Sequence, residues 1–418
     1  MPLSRRSSIS IAVFVLLAVF VGLGYWYESR EKTPGQAANT ASIDVTSGND
    51  RGPGSLREAL FKATAADTEV VIALQVPKIT LASTLPPLAN AHGIRLVGDE
   101  QGTEIDGSTL STGAVLDVAG ANVSIENVRI RDCKATGIVL RGAERFKLQT
   151  TTIESCDVGV DVAENSNQIM LERNRFANNR VGVRFAASNR NAVVVKNEFS
   201  GHRDAGLWAV RSEPDNGGGS ISIRDNRFSK ERIGILTANV SVLLERNELL
   251  DSQEAAMQLM GTGAVARGNR ISRGAAMGIV AENARGVVIE DNEFDGLAAY
   301  GIMLKGSADT LVRGNRIHNS GYGLAFVLGT PRNPSSAIDN TIIEPKVTGI
   351  DVIGDSPILR GNQVMRPRGL PLKVIDFEPE GGGEKIRSAP FLEGNNFKIG
   401  SATVAAGNAK ASGGVVQR

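Results

Sequence analysis

The sequence predicts an all-β fold, a single parallel β-helix running from Ile43 to Phe397. Its regular part spans about 12 coils, with irregular coils before it, because a fixed short period means stacked supersecondary units. Three observations predict this. A unit centred on an asparagine recurs at intervals of 21 to 25 residues, with two longer intervals of 29 and 33. It reads LERNRF at Asn174, VVKNEF at Asn197, IRDNRF at Asn226, IEDNEF at Asn292 and VRGNRI at Asn315. Eight or nine residues later comes glycine followed by an aliphatic residue, as in Gly182-Val183, Gly278-Ile279 and Gly323-Leu324. Two residues after each asparagine the side chain is apolar: Phe176, Phe199, Phe228, Leu249, Ile271, Phe294. Alternation at period 2 argues for strands. The 3-and-4 spacing of a helical solenoid and the leucine-rich signature are both absent.

The elements follow in chain order. Arg5 and Arg6 precede an uncharged run, residues 7–27. About 20 apolar residues suffice for a membrane span. Tyr25, Trp26 and Tyr27 suit the far interface, and the arginines hold residues 1–6 in the cytoplasm. A cleaved signal peptide has a shorter apolar region and a small-x-small site, so the run reads as a single-pass signal anchor. Residues 28–42 read as a polar linker. GPGSLREALFKATA (Gly52 to Ala65) reads as a capping helix. Ser55 would N-cap it and Glu58 would complete a capping box, with Leu56, Leu60 and Phe61 closing the core. EVVIALQVPKITLASTLPPL then starts the irregular coils, and residues 398–418 form a peripheral tail.

Within the coils, the asparagines should line a turn as an amide ladder. Around them the charges alternate from coil to coil: Arg224 and Arg227, Glu245 and Glu248, Arg267 and Arg270, Glu290 and Glu293, Arg313 and Arg316. Stacked opposite charges each contribute roughly 0.2–1 kcal/mol, so this face reads as a structural charge ladder. Cys133 and Cys156 occupy equivalent positions in adjacent coils. A disulfide and a reduced cysteine stack both fit that placement.

Three coils carry extra residues at one corner: residues 211–219, 329–336 and 376–388. Insertions in solenoids gather on the binding face. The outward positions beside that corner, from Trp208 to Ala325, are mostly apolar, which marks either an interaction surface or a stripe that a loop or the C-terminal tail covers. The candidate ligand-binding residues are Trp208, Glu282, Met303 and Lys305, with Arg211, Glu213 and Asp215 from the first loop. Net charge is +1, so no global field favours nucleic acid. Three histidines and two cysteines give too few ligands for a zinc site, and neither a metal nor a cofactor is expected.

The asparagine and Gly-Ile units, from about Val123 to Phe397, resemble the right-handed parallel β-helix repeat of polysaccharide lyases, polysaccharide epimerases and their non-catalytic relatives. GPGSLREAL looks like the start of many exported proteins of that kind. The resemblance implies a right-handed coil. Alginate-type epimerases carry Asp-Pro-His-Asp; here the nearest approaches are His202-Arg203-Asp204 and Glu213-Pro214-Asp215. Pectate-lyase-like enzymes cluster carboxylates around calcium, whereas Asp161 and Glu282 lie five coils apart. No catalytic set is assigned. Tyr300, Lys305 and Tyr322 are weak candidates in adjacent coils, and His318 is expected at a solvent-facing turn. The chain is therefore expected to be a β-helix held at the bacterial inner membrane with its coils in the periplasm. There it would assist exopolysaccharide synthesis or export by binding the polysaccharide chain or the membrane synthase and export complex. The alternatives are a polysaccharide lyase or C5-epimerase, or an accessory factor for copper-enzyme maturation. Copper prefers soft ligands, which only scattered methionines supply.

Overall fold

The computed structural model describes residues 40–163, 165–186, 190–212, 220–274, 277–380, 383–399 and 402–405. The expected anchor at 7–27 and most of the linker lie outside the described residues. No helix among those described is long and apolar enough to cross a membrane.

Each regular coil contributes one strand to each of three parallel sheets, as in Leu311–Arg313, Arg316–His318 and Tyr322–Val327. Sheet I has 15 strands, from Ala41–Val45 to Phe391–Glu393; sheet II also has 15, from Lys78–Thr80 to Ala402–Ala405. Sheet III has 12, from Ala114–Val118 to Leu370–Ile375. The first coils therefore have regular strands in sheets I and II and lack only the third. The expected tail also contains structure: Ala402–Ala405 pairs antiparallel with Asn396–Ile399, so the last parallel edge of sheet II is covered.

The inward stack is in register, with Phe176 opposite Phe199 and Phe199 opposite Phe228. Their rings stack at centroid distances of 4.9 and 4.4 Å. Each is fully buried, which stabilises the fold by roughly 1.5–3 kcal/mol per side chain.

The corner between sheets I and II explains the repeat's sequence. The residue before each asparagine adopts positive φ, as at Arg246 (51°), Asp291 (53°) and Gly314 (63°). Glycine and aspartate tolerate that conformation best. It turns the asparagine inward. Asn292 Nδ2 then donates to Asn315 Oδ1 at 2.9 Å and to Ala266 O at 3.0 Å. The Asn292 Oδ1 accepts from the Asn269 backbone N–H at 2.9 Å. The same pattern runs from Asn174 to Asn395.

The glycine before each aliphatic residue sits where sheet III begins. A Cβ at Gly323 would lie 2.3 Å from Gly349 O and 2.7 Å from the Ile342 side chain. The next coil is too close for any side chain there.

At the corner between sheets II and III a second interior ladder runs Cys133, Cys156, Asn179, His202, Glu231. Cys133 and Cys156 are joined by a disulfide, with Cα atoms 4.5 Å apart. Asn179 Oδ1 accepts the Cys156 N–H at 2.8 Å, which orients its amide. Its Nδ2 then faces His202 Nε2 at 3.3 Å, so that nitrogen is the acceptor. His202 Nδ1–H donates to Glu231 at 2.9 Å, and the His202 backbone N–H donates to the same carboxylate at 3.0 Å. Both side chains are fully buried. His202 is thus interior, and His202-Arg203-Asp204 forms no surface motif.

Three further expectations are corrected. Helix α1, Leu56–Thr64, buries Leu56, Ala59, Leu60 and Ala63, while Phe61 is 62% exposed. The buried set follows the i, i+3, i+4, i+7 stripe and Phe61 lies off it. Ser55 does accept the Glu58 N–H at 3.3 Å, but Glu58 reaches the N–H of Gly54 at 2.7 Å, one residue before the cap. The charge ladder is two ladders either side of the asparagine corner. Arg224, Glu245, Arg267, Glu290 and Arg313 are in register on sheet I. Arg227, Glu248, Arg270, Glu293 and Arg316 are in register on sheet II.

Candidate functional site

The long connections at 211–219, 329–336 and 376–388 all leave sheet III for sheet I, as their common spacing required. Beside them lies the outer face of sheet III. One row of it runs in register through Trp208, Leu236, Gln258, Val280, Met303, Ala325, Asp351 and Lys373. Seven steps of roughly 4.8 Å make this row about 34 Å long.

The row is not the exposed apolar patch that its composition suggested. Leu236, Val280 and Ala325 are buried, while Trp208, Gln258 and Met303 are half-buried. In a parallel stack a small side chain sits in the shadow of larger neighbours a coil above and below. Leu236 lies between Trp208 and Gln258, and Val280 between Gln258 and Met303.

The other sequence candidates separate into groups. Lys305 Nζ donates to Glu282 Oε1 at 2.9 Å, so these two form an ion pair one row further along the strands. Arg211 is buried and already has an interaction partner, which corrects its reading as a loop ligand. Glu213 and Asp215 lie outside the described residues. Asp161 is held by Arg184 through two bonds of 2.9 and 2.6 Å, not grouped with other carboxylates. Among the described residues no group of three or more His, Cys, Asp or Glu is placed to hold a metal ion. His318 lies on strand Arg316–His318 of sheet II, not at a turn, and so does not share the face of Tyr300 and Tyr322.

Tyr300 and Tyr322 do come together. They are in register at the start of adjacent sheet III strands, and their rings stack with centroids 4.4 Å apart. The Tyr300 hydroxyl donates to Asp351 Oδ2 at 3.4 Å, two coils away. Ala325 lies between Met303 and Asp351 under this reach. Lys305, five residues along the strand from Tyr300, takes no part.

Asp351 is the residue that sequence reasoning missed. It is only 3% exposed, and its Oδ1 has no hydrogen-bond partner. Burial raises its carboxyl above the usual carboxylate range, against the pull of Lys373 in the next coil. Burial, with the nearby Asp351 charge, also pushes the Tyr300 hydroxyl up to about 12. A buried polar atom without a partner costs roughly 1–3 kcal/mol. An outward-facing carboxyl with one unpaired oxygen thus lies beside two stacked aromatic rings. The sequence signal was faint: Asp351 is the first acid after the neutral run from Trp208 to Ala325, and nothing local ties it to a tyrosine 51 residues earlier.

The family model described as right handed beta helix region matches residues 80–216 and 215–364. Among solved structures, the chain is similar to the catalytic unit of a thermostable GH87 alpha-1,3-glucanase from Streptomyces thermodiastaticus strain HF3-3. The two share 13% identity over 86% of this chain and 69% of that one, with a TM-score of 0.56. DFA-IIIase from Arthrobacter chlorophenolicus A6, without its lid, aligns at 12% identity over 74% of this chain and 95% of that one, with a TM-score of 0.48. At 13% identity the likeness to the glucanase is one of fold. No curated protein matches the sequence significantly.

Proposed function

Because the chain belongs to the right-handed β-helix family, we propose that it is a saccharide-binding protein that seats an extended glycan along the outer face of sheet III. The observation that carries this reading is the stacked Tyr300–Tyr322 pair beside the partly unsatisfied Asp351. Trp208 and Met303, both half-buried, extend the same face toward the N-terminal coils. Three strands of this sheet lead into the long connections. The alpha-1,3-glucanase of like fold is named for a polysaccharide substrate, which agrees with this ligand class.

The place of action follows from the apolar run at residues 7–27. An anchor there would hold the coils in the periplasm at the bacterial inner membrane, next to a synthase or export complex that passes polymer to them. In this reading the protein assists exopolysaccharide synthesis or export.

Titrating the full chain with oligosaccharides, calorimetrically, tests the binding site. Tyr322→Ala and Trp208→Ala together should weaken the best ligand at least tenfold without loss of fold. Unchanged affinity in that double variant would overturn the sheet III assignment. One observation favours a second, catalytic reading. Asp351 is a carboxyl that burial biases toward its protonated form, as a general acid requires. Uronate polymers incubated with the protein would then yield unsaturated ends or a changed epimer ratio, and Asp351→Asn would abolish either.

A further inference from the structure

The alternating charges of sheet II end in an imbalance. In register, the row reads Arg227, Glu248, Arg270, Glu293, Arg316 and then the neutral Thr341. Glu248 is already taken by an ion pair with Arg227. Glu293 is therefore the only carboxylate in the row left for both Arg270 and Arg316, and it can balance only one. Among the described residues neither guanidinium has an ion-pair or hydrogen-bond partner. Both are exposed.

The next row on the same face places an imidazole beside these arginines. His318 stands beside Asp295, and its Nδ1 lies 2.8 Å from Asp295 Oδ1. A carboxylate only accepts, so Nδ1 carries the proton and the ring is oriented by that bond. On the other side of the ring Nε2 lies 3.7 Å from Glu344 Oε2, and Arg366 Nε holds that same carboxylate at 2.9 Å. Arg270, Glu293, Asp295, Arg316, His318 and Arg366 line one cavity of about 250 Å³. Of its three arginines Arg366 is already paired with Glu344, which leaves Arg270 and Arg316 as the unpartnered guanidiniums beside Glu293. Drug-sized ligands occupy roughly 300–1,000 Å³, so this cavity suits one sugar unit or one phosphate.

The geometry points to a second binding site here, for an oxyanion carried by a small polar ligand: the carboxylate of an acidic sugar or a phosphate group. Arg270 and Arg316 supply guanidinium forks that match either anion. His318, oriented by Asp295, borders the same space. The site lies on a different sheet from the saccharide face and stands independently of it.

The test uses the full chain with three probes: glucuronate, inorganic phosphate and, as the neutral control, glucose. Binding is read by calorimetry and by the His318 Hε1 proton resonance. Glucuronate, phosphate or both should bind and shift that resonance, and glucose should not. Whichever anion binds identifies the source. Arg270→Gln with Arg316→Gln should weaken binding at least tenfold, while Arg95→Gln on sheet I should leave it unchanged. Equal affinity in the double variant overturns the site. So does a His318 resonance that neither anion moves in the unmodified protein, which decides the matter even where the double variant does not fold.

Discussion

Replacing Asn292 tests whether the amide ladder, and not only the apolar core, holds the coils in register. Its side chain makes four bonds. Nδ2 donates to Asn315 Oδ1 and to Ala266 O, and Oδ1 accepts from the backbone N–H and the Nδ2 of Asn269. All are between 2.9 and 3.0 Å, and Asn292 is wholly buried. At a net of about 1 kcal/mol each, Asn292→Ala should cost about 4 kcal/mol. The buried Asn269 N–H would also lose its acceptor, Asn292 Oδ1, which pushes the value upward. Asn292→Asp sharpens the test, because it preserves shape. It keeps the acceptor oxygen but loses both donor bonds, and it sets a carboxylate oxygen against Asn315 Oδ1 in a site closed to water. At pH 7 it should be at least as damaging as alanine; near pH 4 it should partly recover, since a protonated carboxyl can donate again. Urea denaturation followed by far-ultraviolet circular dichroism measures this, with Arg232→Gln as reference. Arg232 pairs with Glu254 where both side chains are exposed, so its loss should cost no more than about 1 kcal/mol. A loss below about 1 kcal/mol for Asn292→Ala, or an aspartate variant milder than alanine at pH 7, would refute the reasoning.

Two further expectations concern single side chains. Asp355 is 3% exposed, and burial raises its carboxyl from 3.8 to about 6 despite bonds from the Ser356 and Gly329 N–H groups. Folding therefore favours its protonated form. That contribution is complete below pH 3.8 and is lost as pH rises through about 6, at most about 3 kcal/mol. The stability of Asp355→Asn relative to the parent should rise by up to that amount between pH 4 and 7; a pH-independent difference contradicts the assignment. At Gly323 a methyl group would meet Gly349 O at 2.3 Å, so Gly323→Ala should lower stability by roughly 1–3 kcal/mol. Gly137→Ala, which meets Gly159 O at 2.7 Å, should cost less in the same urea denaturation.

How far the site could be read from sequence depended on the distance over which each signal acts. The asparagine corner is local: a left-handed residue, an inward amide and an apolar residue two later recur in each coil, so the period exposes them. Trp208 and Met303 were found because outward positions can be counted from the glycine. Their exposure could not be counted, since it depends on the side-chain sizes one coil above and below. Lys305 and Glu282 were each candidates, and their mutual pairing between adjacent strands could not be read from either coil alone. Phe61 was assigned to the cap by hydrophobicity alone, and helix geometry turned it outward.

The sequence by itself determined the stack: parallel coils, the residues that face in, and the corner from which the long connections leave. It could do so because stacked coils are nearly equivalent, so each repeats the same local constraints. Only the tertiary structure decided the chemistry on the surface. Tyr300 reaches Asp351 across 51 residues, and His202 finds Glu231 across 29. Arg316 is left over because the row beyond it ends in Thr341. Such groupings depend on side-chain reach between coils and on which partners are already taken, and neither is encoded in the period that builds the helix.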